Sequence, residues 1–273
     1  MEQENKKHEE GEKRAGTPPS SLIELRKVSK AFGRLVVLDE LSLSIPRGQS
    51  IVVIGASGTG KSVLLKHIVG LLRPDSGEVY FDGQRIDTLT ERQIMDVRKR
   101  FGFLFQMGAL FDSITVGENI AFPLVEHSHK KADEIAQVVA DKLAMVGLPG
   151  IEKKMPAELS GGQRTRVGLA RAIALDPEVI LYDEPTTGLD PIRSDVINQL
   201  IQKLQRELKV TSITVTHDMH SAFKIADRIV MLNEGKIIFD GKPEEIQKCG
   251  DAIVKQFVTG EAGEAELAGL RLQ

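Results

Sequence analysis

The chain has 273 residues, 41% of them hydrophobic and 27% charged, with a formal charge of −3. That length buries a sizeable core, the composition is ordinary for a globular domain, and the slight negative charge gives no support for a nucleic-acid partner. A single cysteine, Cys249, excludes an internal disulfide and fits a reducing compartment, and no apolar run reaches the roughly 18–20 residues needed to span a bilayer.

Residues 1–21 open with a dense mixture of Glu and Lys and run through the breaker Thr17-Pro18-Pro19-Ser20. They predict a solvated, disordered charged tail and neither a secretory signal nor a transit peptide. Order is expected from Leu22. Residues 22–28 read as a strand, followed by strands at 36–38 and 41–45, the last with period-two alternation, and a turn at 46–49. Residues 50–54 are a short apolar run of the kind buried in a parallel sheet. This run leads straight into Gly55-Ala56-Ser57-Gly58-Thr59-Gly60-Lys61-Ser62, after which 62–72 read as a helix.

A further strand is expected at 77–81, closed by the turn Asp82-Gly83. From about 88 to 174 the pattern is mostly helical, interrupted at 102–106. Strand patterns return at 179–182, 211–216, 229–232 and 236–239. Residues 243–273 form an extension, helical at first and rich in Gly and Glu later. The architecture expected is a mostly parallel α/β core with an early antiparallel flank and a helical insertion.

The segment 55–62 is a phosphate loop. Gly55, Gly58 and Gly60 let the backbone wrap a phosphate with its N–H groups, in conformations closed to residues bearing Cβ. The loop opens onto a helix N-terminus, whose dipole favours an anion. Lys61 is placed to reach the β- and γ-phosphates and the Ser62 hydroxyl to ligate Mg²⁺. A glycine turn that merely ends in Lys-Ser would lack this strand before it and helix after it.

The strand at 179–182 delivers Asp183 and Glu184 to the carboxyl end of the sheet, where open α/β sheets bind ligands. Asp183 is expected to hold Mg²⁺ beside Ser62, and Glu184 to polarise the attacking water. Acid pairs are common at turns, and this one gains its meaning from the phosphate loop upstream. Between the two motifs lies Leu159-Ser160-Gly161-Gly162-Gln163, preceding a helical run with Val167, Leu169, Ala170 and Ile173 on its apolar side. Ser160, Gly161 and Gly162 thus form a helix N-terminus with exposed N–H groups, a second anion site. An isolated Ser-Gly-Gly is usually a plain helix cap. Here one γ-phosphate cannot easily use both sites of a single chain, and two chains placed head to tail would solve the problem.

With these motifs in this order, residues 22–242 resemble an ABC transporter nucleotide-binding domain, a P-loop NTPase core with an antiparallel β flank and a helical subdomain inside about 88–174. The resemblance implies ATP hydrolysis by a head-to-tail homodimer. Nucleotide contacts would come from Phe32, Gly55, Ala56, Ser57, Gly58, Thr59, Gly60, Lys61, Ser62 and Val63, with Ser160, Gly161, Gly162, Gln163 and Asp190 completing the shared site. Phe32 sits where the family stacks an aromatic on adenine, usually Tyr. Gln106 corresponds to the glutamine that senses the γ-phosphate and Mg²⁺, Gly188-Leu189-Asp190 to the loop that meets its twin across the dimer, and His217 to the switch histidine. Lys61, Gln106, Glu184 and His217 would be catalytic, and Ser62, Gln106 and Asp183 would hold Mg²⁺.

Within the superfamily, the segment Phe105-Gln106-Met107-Gly108-Ala109-Leu110-Phe111 and onward to Pro123-Leu124, the Tyr182 before Asp183, and Val254–Gly260 resemble the Mla/Mce-type lipid transport ATPases. That resemblance implies a peripheral protein on the cytoplasmic face of a bacterial inner membrane. Its partners would be permease subunits, an Mce-domain substrate-binding protein and a STAS-domain protein. Met107, Leu110, Phe111, Phe122 and Pro123 are expected to form an apolar groove for a permease helix. Other ABC importers and soluble ABC ATPases are the competing classes. Soluble repair-type members carry a long coiled coil, and the insertion here is too short and lacks heptads.

Overall fold

The computed structural model describes residues 21–261. The charged tail at 1–20 and the Gly/Glu-rich segment at 262–273 lie outside the described residues. Two sheets organise the chain. Strands β1 (Ser21–Phe32), β2 (Leu35–Pro46), β4 (Ser76–Phe81) and β5 (Gln84–Arg85) form an antiparallel sheet in the order β2-β1-β4-β5. Strands β3 (Ser50–Ile54), β6 (Phe101–Leu104), β7 (Val179–Asp183), β8 (Thr211–Thr216), β9 (Arg228–Asn233) and β10 (Lys236–Gly241) form the second, ordered β10-β9-β3-β8-β7-β6. Five of these six strands run parallel, and β10 closes one edge as an antiparallel hairpin partner of β9. The turn Asp82-Gly83 joins β4 to β5 with positive φ at both residues (52° and 76°), the mirror-image turn that matches strand twist.

The parallel sheet divides the core. Val52 and Ile54 of β3 face one side with Ile180 and Tyr182, under the helices α5 (Gly161–Ala172) and α6 (Pro191–Leu208). Ile51 and Val53 face the other, with Ile213, Val215 and the helix α1 (Lys61–Ile68). Every residue of β3 is buried, which is why its sequence is a continuous apolar run rather than an alternating one.

Three expectations shift. The two strands at 36–38 and 41–45 are one strand, β2. The polar pair between them is a bulge, with Glu40 at φ 48° and its N–H donated to Ser29 Oγ at 3.0 Å. Helix α1 stops at Ile68 and not at 72, because Gly70 turns left-handed (φ 69°) and Leu71 and Leu72 fold back to donate to the Lys66 carbonyl. The interruption at 102–106 is strand β6, the edge of the parallel sheet, paired with β7 from Phe101↔Val179 to Leu104↔Tyr182. The helices proper of the insertion are α2 (Glu91–Arg98), α3 (Val116–His127), α4 (Ala132–Met145) and α5. Helix α7 (Met219–Ile225) follows β8. The extension begins with α8 (Pro243–Ile246) and α9 (Ala252–Thr259), whose Ile246 and Val254 are buried in the core of their own chain. Among the described residues no helix is long and apolar enough to cross a membrane.

A four-member charge cluster ties the sheets together. Arg100 reaches Glu178 at 2.5 Å and Asp82 at 2.6 Å, Arg47 pairs with the same two carboxylates, and the Arg100 guanidinium lies 4.5 Å over the Phe81 ring. These contacts, led by the hydrogen bond from Arg100, hold the Glu178 carboxyl down from its ordinary 4.5 to about 2. A depressed native value stabilises the fold above the unfolded-state value and loses that contribution as pH falls through the native one. Glu178→Gln should therefore lower the urea midpoint at neutral pH and lose its deficit as pH drops from about 4.5 towards 2. All four side chains are a third or more exposed, so the neutral-pH loss is about 1 kcal/mol and shrinks with salt. Equal deficits in neutral solution and in acid would show that the cluster contributes no charge-dependent stability.

Candidate functional site

The carboxyl ends of β3, β7 and β8 come together because the three strands are parallel and adjacent, and each hands its next residues to one pocket. That pocket, of about 420 Å³, is lined by Phe32, Val37, Ser57, Gly58, Gly60, Lys61, Ser62, Val63, Gln106, Asp183, Glu184, Thr187 and His217. Residues scattered from 32 to 217 in sequence therefore share one cavity. Among the residues expected from sequence, Gly55, Ala56 and Thr59 belong to the loop backbone behind the lining. Ser160, Gly161, Gly162, Gln163 and Asp190 do not line the pocket.

The loop is shaped for a phosphate. Gly58 (φ 82°) has open space where a Cβ would stand, and Gly60 (φ 97°) would push a Cβ to 2.8 Å from the Val37 carbonyl. Gly60 is also the residue from which α1 starts. Lys61 is 7% exposed, and its ammonium donates to the carbonyls of Gly55 (2.8 Å) and Ala56 (2.9 Å) across the mouth of the loop. Burial lowers its pKa, against the opposing pull of Glu184 and Asp183. Triphosphate oxygens in the loop would replace those carbonyls with stronger, charged acceptors.

Ser62 Oγ donates to Asp183 Oδ1 at 2.9 Å. Burial pushes the Asp183 carboxyl up, and the neighbouring Glu184 adds to the shift. A cation between Ser62 and Asp183 would relieve both effects. A hydroxyl, one carboxylate and the Gln106 amide are hard oxygen ligands, few in number, as suits a Mg²⁺ ion that keeps waters and binds substrate phosphates. Among the described residues there is no cluster of three or more His, Cys, Asp or Glu side chains that would form an all-protein metal cage.

Glu184 occupies a left-handed backbone position (φ 49°), uncommon for a residue with a side chain, fixed by its N–H donating to the Val215 carbonyl at 3.0 Å. The position turns its carboxylate into the pocket mouth. His217 Nδ1 lies 3.0 Å from both carboxylate oxygens, and Oε2 also faces the hydroxyls of Thr187 (3.3 Å) and Thr216 (3.4 Å). Thr187, Thr216 and Val37 are the site residues that sequence reading missed. A hydroxyl three residues after Glu184 at a turn was the available signal for Thr187. Nothing local marked the other two.

Ser160 begins α5 with a reciprocal cap: Gln163 N–H donates to Ser160 Oγ (3.3 Å) and Ser160 N–H to Gln163 Oε1 (2.9 Å). The N–H groups of Gly161 and Gly162 have no partner among the described residues. Asp190 caps α6, accepting from Arg193 N–H at 3.0 Å and pairing with the Arg193 guanidinium at 3.1 Å. Within one chain its carboxylate is therefore a helix cap and not part of the pocket lining.

A phosphate-shaped loop, a Ser–Asp pair suited to a divalent cation and a histidine-held glutamate define a nucleoside-triphosphate hydrolase. A family model described as ABC transporter matches residues 38–187, and the chain belongs to that family. It is 46% identical, over 89% of its length and 92% of the relative's, to the intermembrane phospholipid transport system ATP-binding protein MlaF of Haemophilus influenzae. It is 43% identical, over 90% of its length and 68% of the relative's, to a probable ribonucleotide transport ATP-binding protein mkl of Mycobacterium tuberculosis. Among solved structures it resembles a dimeric post-hydrolysis form of the ATP-binding cassette MJ0796 bound to ADP and Pi, at 33% identity and a TM-score of 0.75 over 81% of this chain and 98% of that one. It also resembles cbiO1 of Clostridium perfringens, part of the ABC transporter complex cbiONQ, at 29% identity and a TM-score of 0.77 over 93% and 100%. The chain is an ATPase subunit of an ABC transporter.

Proposed function

We propose that two copies of this chain, head to tail, hydrolyse ATP to drive phospholipid transport across a bacterial envelope from the cytoplasmic face of the inner membrane. The observation that carries the dimer is the separation of Ser160–Gly162 from a pocket that already holds the phosphate loop, Asp183, Glu184 and His217. The N–H groups of Gly161 and Gly162 would close on the γ-phosphate held by the partner's loop. Hydrolysis then forms a bond from water oxygen to the γ-phosphorus and breaks the bond to the bridging oxygen, which leaves with ADP. Lys61 and the loop N–H groups hold the phosphates in line, Glu184 orients the water and takes its proton, and His217, anchored to Glu184 through Nδ1, presents Nε2 to the γ-phosphate. Bound Mg²⁺, held by Ser62, Asp183 and Gln106, would neutralise charge on the β- and γ-phosphates.

The membrane partner is proposed to dock beside Gln106. Phe101, Phe103, Phe105, Phe111, Phe122 and Pro123 line a groove of about 430 Å³, and Phe105, Phe111 and Phe122 are 40–46% exposed. Leu110 and Met107, expected in the same groove, do not line it. Phe111→Glu combined with Phe122→Glu should spare the ATPase activity of the isolated chain and abolish its recovery with a membrane complex. Undiminished recovery would place docking elsewhere.

The cargo reading rests on the MlaF relatives and is supported by the segment around Gln106. An Mce-domain protein and a STAS-domain protein are the further partners it implies. Purification of the complex from membranes, followed by mass spectrometry of what it holds, tests it. Phospholipid is the expected result, and a ribonucleotide would instead favour the cargo named for the mycobacterial relative.

A further inference from the structure

Behind Glu184 a line of hydrogen bonds runs from the interior to the pocket, through side chains as far as Asp218 and through the Asp218 main chain from there to Thr216. It starts at Asn198 on α6, whose Nδ2 donates to Ser221 Oγ on α7 at 2.8 Å. Ser221 has one hydroxyl proton and gives it to Asp218 Oδ2 at 2.5 Å. Asn198 must therefore be the donor to Ser221, which fixes the orientation of its amide. Asp218 Oδ1 accepts the N–H of His220 and caps α7, at 3.0 Å. The Asp218 N–H donates to Thr216 Oγ1 at 3.0 Å, and that hydroxyl directs its own proton to Glu184 at 3.4 Å. His217 lies between Thr216 and Asp218, so the line clamps its backbone on both sides.

The inner end of the line is polar and buried. Asn198, Ser221 and Thr216 are each 0% exposed, and Asn198 Oδ1 is buried with no backbone or side-chain partner among the described residues. A buried acceptor left unpaired destabilises a fold, and leucine, of similar size, would remove the penalty. A local rule broken without a gain in stability points to a functional demand. We propose that Asn198 and Ser221 are positioning residues for ATP hydrolysis. Acting through Asp218 and Thr216, they fix the loop that carries His217 and aim the Glu184 carboxylate. The inference rests on the role given to Glu184 above.

The test compares Asn198→Leu, Ser221→Ala, the double variant and Glu184→Gln in the full chain. Asn198→Leu is expected to hold or raise the melting temperature, to keep KM for ATP within about twofold, and to lower kcat about tenfold, because a small misplacement of reacting groups has that effect. Ser221→Ala should give a similar fall in kcat. The double variant should fall no further than the worse single one, since both cut the same line. With Glu184→Gln inactive, native kcat in both single variants would overturn the proposal and leave the role of Glu184 intact. Loss of melting temperature in step with kcat in Asn198→Leu, or a change confined to KM in either variant, would also overturn it. Ser221→Ala strands the Asn198 amide N–H and is expected to melt somewhat lower on that account. An active Glu184→Gln would remove the carboxylate being aimed, and the proposal with it.

Discussion

Glu184→Gln is expected to bind ATP with native affinity and to lose turnover by about 10³-fold. Affinity should survive because the residues proposed to hold the triphosphate, 57–62 with Lys61 among them, are not the ones that bond the Glu184 side chain, which are His217, Thr187 and Thr216. The amide keeps the size of the carboxylate and can still accept from Thr187 and Thr216, so the pocket keeps its shape. It cannot take a proton from the attacking water at neutral pH, and its attraction for His217, now 3.0 Å from a carboxylate oxygen, is weakened. The two effects fall on the chemical step alone. Equilibrium binding of ATP together with phosphate release measures both, and turnover within a few-fold of native would remove Glu184 from the mechanism.

Ser160→Arg is the second large effect, and it separates binding from assembly. Ser160 caps α5 and does not line the pocket of its own chain, so the variant should bind ATP normally. Loss of the cap removes about 1 kcal/mol, which leaves the chain folded. The arginine would instead obstruct the approach of a second chain's phosphate to the N–H groups of Gly161 and Gly162. Turnover should fall about 10²-fold or more, as when a transition-state donor is removed. Native turnover in this variant would mean that one chain completes its own site.

The pocket was largely legible in the sequence, for a physical reason. A phosphate loop demands glycines and a lysine at fixed spacing, and a parallel strand that ends in Asp183-Glu184 demands a continuous apolar run before it. Both patterns are local, and the adjacency of β3, β7 and β8 then brings them to one edge. Phe32, Gln106 and His217 carry no such local pattern, and only the family resemblance points to them. What local pattern could not show depends on contacts distant in sequence. The pairing of β6 with β7 spans more than 70 residues, so the sequence shows only an interruption among helices at 102–106 where the strand Phe101–Leu104 lies. The bulge at Glu40 exists because Ser29, on the neighbouring strand, accepts its N–H. Thr216 and Asn198 look like ordinary strand and helix residues until β8, α6 and α7 are packed together. The family resemblance groups Asp190 with the nucleotide contacts, and within the single chain it caps α6.

If each chain holds half of each active site, as proposed, ATP must join two chains. The mass in solution of Glu184→Gln, measured by light scattering with and without ATP and repeated with Ser160→Arg added, shows whether it does. One chain mass is expected without ATP, twice that mass with ATP, and a return to one when Ser160→Arg is present. A single-chain mass with ATP bound, or an ATP-dependent dimer indifferent to Ser160→Arg, would rule out the shared site.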